Sequence, residues 1–126
     1  MKPGAVLSLI GAILLWAAPV AESAAAEEVN VGKGAVLRAL DKLTGEVREL
    51  DVMNGDVAKV GHLMIALGEC RYPPSNPTGE AYAFLAIGDN TSPDPVFTGW
   101  MIASSPGLNA MDHRRYDVWV LRCIIE

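Results

Sequence analysis

Histidine and cysteine are scarce in this sequence, with two of each in 126 residues. His62 and His113 stand far apart, and neither has the clustered nitrogen, sulfur or carboxylate neighbours of a metal centre. No metal or other cofactor is therefore expected. Cys70 and Cys123 form no C-x-x-C pair, which removes the usual redox-active thiol motif. Basic residues are outnumbered, 10 Lys and Arg against 15 Asp and Glu, for a net charge of −5. Such a balance repels phosphate backbones and anionic lipid surfaces, so nucleic acid is not an expected partner. A nucleophile elbow is also missing.

Long apolar runs are missing too, except for one at the start. Lys2 is followed by an almost purely apolar stretch from Ala5 to Val20, broken near its end by Pro19. Sixteen residues fit the apolar region of a signal peptide and fall short of the ~20 needed to span a bilayer. Ser23-Ala24-Ala25-Ala26 supplies the small residues of a cleavage site before Glu27-Glu28. Residues 1–26 are thus read as a signal-peptide helix, removed on export; retention as an anchor is the alternative. No cysteine lies near the cut, which argues against a lipoprotein. Cleavage leaves 100 residues (126 − 26), enough for one domain. In them nine bases face fourteen acids, so the charge stays at −5. In an exported chain, two cysteines imply one disulfide.

The expected organisation is a flexible lead-in over 27–33 and a single domain over 34–126. Candidate strands run Ala35–Leu40, Glu46–Val52, Leu63–Tyr72, Ala81–Ile87, Val96–Ala103 and Tyr116–Ile125. Asp41 to Gly45 reads as a hairpin turn, and Asn54-Gly55 as a second turn. Three prolines between Pro73 and Pro77 make an extended loop. Ala81–Ile87 is apolar on both faces and is placed centrally. Ser104-Ser105-Pro106 reads as the start of a short helix ending near Met111. The expected fold class is all-β, a small barrel or sandwich with one short helix. Trp119 shares strand parity with Leu121 and Cys123, and is expected inside.

Four motifs then stand in order: Glu69-Cys70-Arg71-Tyr72-Pro73-Pro74, Ala81-Tyr82-Ala83-Phe84-Leu85, Pro95-Val96-Phe97-Thr98-Gly99-Trp100 through Pro106, and His113-Arg114-Arg115-Tyr116 through Cys123. Together they resemble a family of small exported proteins of Gram-negative bacteria, known only as a domain of unknown function. The likeness spans about Gly32 to Cys123. Arg114 departs from it, standing where the family pattern has proline. The resemblance implies export and the cysteine pairing, and implies no activity.

Asp112-His113-Arg114-Arg115-Tyr116-Asp117 is the densest ionisable cluster. One reading makes His113 a general base oriented by Asp112, with Ser104 or Ser105 as nucleophile, giving a small hydrolase. The plainer reading is a charged connection into the last strand. Asp89, Asn90, Thr91 and Asp94 could offer oxygens to calcium, but turn chemistry accounts for them without an ion. Tyr72, Arg115 and Trp100 are the candidate binding residues, with Tyr72 expected outside beside the proline loop. The functional expectation is a non-catalytic periplasmic domain that binds an envelope protein or component. The alternatives are the His113 hydrolase and a carbohydrate-binding module built on Trp100. No stable membrane insertion is expected once the leader is removed.

Overall fold

Alternating apolar residues and tight turns build the architecture. Leu37 and Ala39 alternate along Gly34–Asp41 (β2), which turns back as Val47–Met53 (β3). The turn forms as its residues require. The Asp41 side chain accepts the Leu43 N–H at 2.9 Å, and Gly45 closes the loop at φ +78°. Gly55 at φ +83° and Gly61 at φ +56° mark the two ends of a short strand, Val57–Val60 (β4). Leu63–Tyr72 (β5), Tyr82–Asp89 (β6), Pro95–Ile102 (β7) and Tyr116–Ile124 (β8) follow. A two-residue strand, Asn30–Val31 (β1), precedes them all. The computed structural model describes residues 28–126 together with Gly4, Gly11 and Ile13. The leader expected over 1–26 otherwise lies outside the described residues.

All pairings are antiparallel and fall into two sheets. One has the order β1-β5-β6-β7, with β4 also on β5; the other is β3-β2-β8. Their inner faces merge into one buried cluster, so the domain is a β-sandwich. Leu37, Leu63, Ile65, Leu67, Leu85, Ile87 and Val120 are its largest aliphatic members. β6 sits between β5 and β7, as its two apolar faces required. The first and last long strands, β2 and β8, lie side by side.

Two bulges set the phase of the sandwich. In β5 the residues Leu63, Ile65 and Leu67 point inward, and strict alternation would next bury Glu69. The pairing instead shifts between Leu67 and Cys70, so one extra residue is absorbed and Cys70 turns inward. β8 repeats the device. Tyr116, Val118 and Val120 face in, the register shifts beside Leu121, and Cys123 is buried in place of Arg122. The two inward cysteines bond to each other across the sheets, with Cα atoms 5.6 Å apart.

Some expectations need correcting. Trp119 lies on the outer side of β8, half-buried, because the bulge after Val120 puts it out of phase with Cys123. The segment after Ser104 makes turns and no helix. Ser105 N–H bonds Ile102 and Leu108 N–H bonds Ser105, while the Ser104 amide and hydroxyl are both taken by Glu80. Part of the lead-in expected over 27–33 is structured as β1, and Gly32 N–H bonds the Cys70 carbonyl at 2.7 Å. A Cβ on Gly32 would stand 2.9 Å from the Ile124 carbonyl oxygen and 3.1 Å from the Cys123 Cβ, so any larger residue here would push β8 and the disulfide aside.

Candidate functional site

Four connections meet at one end of the sandwich: the β2–β3 turn, the β4–β5 turn, the β6–β7 loop and residues 112–115. His113 is their junction. Its Nε2 lies 2.9 Å from Asp89 Oδ2. Its Nδ1 accepts the backbone N–H of Arg115 at 3.0 Å and of Tyr116 at 3.1 Å. Two amide donors on Nδ1 require a lone pair there, which assigns the ring proton to Nε2, facing Asp89. Asp89 also accepts the Thr91 hydroxyl and amide, at 2.6 and 2.8 Å. Those two bonds, and then His113, hold its carboxyl far below the usual carboxylate range.

Beside it, Arg115 makes a two-point contact with Asp41, Nε to Oδ1 at 3.2 Å and Nη2 to Oδ2 at 3.0 Å. That guanidinium lowers the Asp41 pKa to about 2, helped by the Leu43 and Thr44 amides against some desolvation. Lys42 reaches the His113 carbonyl with its Nζ and the Arg115 carbonyl with its amide. Under this network lies Tyr116, 2% exposed, whose hydroxyl accepts the His62 N–H at 3.4 Å. His113, Asp89, Asp41, Arg115 and Lys42 thus each bond another part of the same domain, while Asp112 and Arg114 are exposed.

The candidate catalytic set is not brought together. The carboxylate at His113 is Asp89, while Asp112 is exposed. Ser104 binds Glu80, and Ser105 is engaged in its own turn. Burial would raise the Glu80 pKa, but the Ser104 hydroxyl and amide and the Ala81 amide outweigh it and lower it. With both ring nitrogens occupied, His113 has no free lone pair with which to take a substrate proton. Asp89 and Thr91 form the side-chain turn their sequence suggests. Among the described residues no group of three His, Cys, Asp or Glu could hold a metal ion.

A second surface is more open. On the outer face of the five-stranded sheet Phe84 and Trp100 are cross-strand partners, their rings edge to face at 5.3 Å. Arg71 places its guanidinium 4.9 Å from the Trp100 ring centre and pairs with Glu69. Gly68, in the β5 bulge, leaves a hollow of about 390 Å³ between Glu69, Phe84 and Trp100. A neighbouring hollow of about 430 Å³ lies over Ala66, Ala86 and Thr98 and ends against Asp94 and Pro95. Of the three candidate binding residues, only Trp100 lies here. Arg115 belongs to the end network, and Tyr72, expected outside, is half-buried against the core. Sequence reading missed Gly68, Glu69, Arg71 and Phe84 as a group, because the bulge that assembles them is invisible to alternation.

No helix among the described residues is long and apolar enough to cross a membrane. Residues 35–123 match the family described as "uncharacterized protein conserved in bacteria" (DUF2155). A stretch of 101 residues is 27% identical to an uncharacterized protein of Rickettsia prowazekii (strain Madrid E), covering 78% of this chain and 64% of that protein. The chain thus spans a little under two thirds of that relative's length. No solved structure matches the chain.

Proposed function

The chain belongs to the family of uncharacterized bacterial proteins that its residues 35–123 match, and we propose that this domain is a non-catalytic binding domain exported to the periplasm, where it engages a component of the cell envelope. The observation that carries the reading is the contrast between its two polar surfaces. At the His113 end the histidine, the one candidate base, is spent on holding turns together, with both ring nitrogens bonded. On the outer face of the five-stranded sheet, aromatic rings and an ion pair border open hollows. Binding uses such surfaces as they stand, whereas a hydrolase would first have to free a nitrogen of His113 from its backbone donors. The buried Cys70–Cys123 bond supports an oxidising compartment. The leader read over residues 1–26 supplies the route.

Two measurements test this. Fractionation of cells expressing the full chain, with thiol alkylation before lysis, is expected to find the protein in the periplasm with no reactive thiol. A cytoplasmic, alkylated protein overturns the compartment. A photo-crosslinking residue at Ala86, on the outer face, is expected to trap a discrete envelope adduct in intact cells. The same residue at Glu49, exposed on the other sheet, is the control. No adduct from position 86 overturns the surface.

A further inference from the structure

The small-residue floor of the outer face has a shape and chemistry that narrow what it can hold. We propose that it binds a neutral glycan chain, laid along the strands over Ala66 and Ala86, with one sugar ring packed against Trp100 and Phe84. The proposal rests on the binding-domain reading above and names the ligand class of that surface.

Shape comes first. Outward-facing residues form successive cross-strand rows: Met64 with Gly88, Ala66 with Ala86 and Thr98, then Phe84 with Trp100 beside Gly68. The middle row is low, so the two hollows adjoin along the strands. Gly88 to Phe84 is four residues, ~13 Å at ~3.3 Å per strand residue, which is longer than a single sugar ring. A Cβ on Gly68 would come within 3.1 Å of the Phe84 ring, so the glycine keeps the floor clear.

The chemistry matches a pyranose, which has apolar C–H faces and a rim of hydroxyls. Phe84 and Trp100 offer the apolar contact. Arg71 braces the indole and spends its Nε and Nη2 on one oxygen of Glu69, leaving Glu69 Oε2 to accept a hydroxyl. Both charged side chains keep access to water, at 42% and 32% exposure. Their charges cancel at the site, and the far end meets Asp94. In a chain of net charge −5 that arrangement disfavours an anionic polymer, and the paired Arg71 and Glu69 leave no unbalanced charge at the aromatic end for a cation to seek, which fits an uncharged ligand there. A peptide adding as a strand at the β7 edge is opposed as well, because the Trp100 carbonyl already accepts the Asn109 side-chain amide at 2.8 Å.

The test uses protein purified after expression of the full chain. It is titrated with two neutral probes, a tetramer of N-acetylglucosamine and a tetramer of glucose, followed by tryptophan fluorescence and amide NMR shifts. Saturable shifts centred on Ala66, Phe84, Ala86 and Trp100 with either probe are expected. The preferred probe separates an amide-bearing wall glycan from a plain glucan. Trp100→Ala should weaken binding about tenfold or more, the equivalent of ~1.4 kcal/mol. Gly68→Ala, which raises the floor without removing a ring, should weaken it too. Trp119→Phe should leave it unchanged. No shift at millimolar concentrations of either probe, or binding that survives both site variants, overturns the proposal. If the sugars fail while position 86 still crosslinks to an envelope protein, the glycan falls and the binding reading stands. If both fail, both fall.

Discussion

Replacing both Cys70 and Cys123 by alanine removes a crosslink between residues 53 apart in sequence. In the chain-entropy treatment, a closed loop of that length restricts the unfolded ensemble by ~14 cal/mol/K, or ~4 kcal/mol at 25 °C. The lost sulfur contacts add to this, since Cys70 is fully buried and Cys123 is 5% exposed. Small domains have net stabilities of only ~5–15 kcal/mol. The double variant should therefore be marginal at 37 °C. Its melting temperature should fall by roughly 15–30 °C, at ~4–8 °C per kcal/mol for a domain near 100 residues. Guanidinium unfolding, followed through the fluorescence of Trp100 and Trp119, gives both the midpoint and the slope. The slope should rise slightly, because an uncrosslinked chain exposes more surface when unfolded. Reduced wild-type protein should behave like the variant. A loss below ~1 kcal/mol with an unchanged slope would refute the argument, showing that the sheets hold the two strand ends together without the bond.

Three other outcomes follow from the end network. Asp41 and Asp89 both have folded pKa values below the ordinary ~3.9 of an unfolded aspartate, so they favour the fold above that pH and lose their contribution as pH falls through ~4 toward 2 and below. Denaturation midpoints should be flat from pH 7 to 5 and drop below 4, and Asp41→Asn should flatten that drop. Gly61→Ala puts a Cβ 2.1 Å from the Tyr116 hydroxyl at a positive φ, and should cost about 3 kcal/mol in equilibrium unfolding, combining backbone strain with overpacking. His113→Ala strips the Arg115 and Tyr116 amides of their acceptor, and should cost ~1–3 kcal/mol while leaving fluorescence titrations with the sugar probes unaltered.

The longer strands were legible because their alternation is local. Leu63, Ile65 and Leu67 announce a half-buried strand whatever lies opposite, and Asp41 to Gly45 announces its turn. β1 and β4 were missed because two and four residues carry too little alternation to be distinguished from loop. The helix expected after Ser104 had a cap and a proline, but the partners that decided the matter are distant. Glu80 took both the Ser104 amide and hydroxyl, and Asn109 turned to Trp100. Strand parity failed at Trp119 for the same reason that Cys123 could turn inward: a bulge changes phase, and its position is set by the partner strand. The His113 cluster was visible as a cluster, but its carboxylate, Asp89, is 24 residues away at the end of a strand in the other sheet, and comes near only through packing of the two sheets.

The pairing of β2 with β8 also governs the timing of folding. The three-stranded sheet joins residues near the start of the domain to Tyr116–Ile124, and the disulfide partner of Cys70 lies in that same final strand. Contacts so remote in sequence form slowly, since chain entropy must be lost before they contribute. Until β8 emerges, β2 has only the β3 hairpin beside it, and one inner face of the sandwich lacks its cover. The domain therefore cannot close before β8 is available to pair with β2. A chain obliged to wait for β8 stays open along that edge, and gains its covalent lock only after the strand that carries Cys123 has found its place.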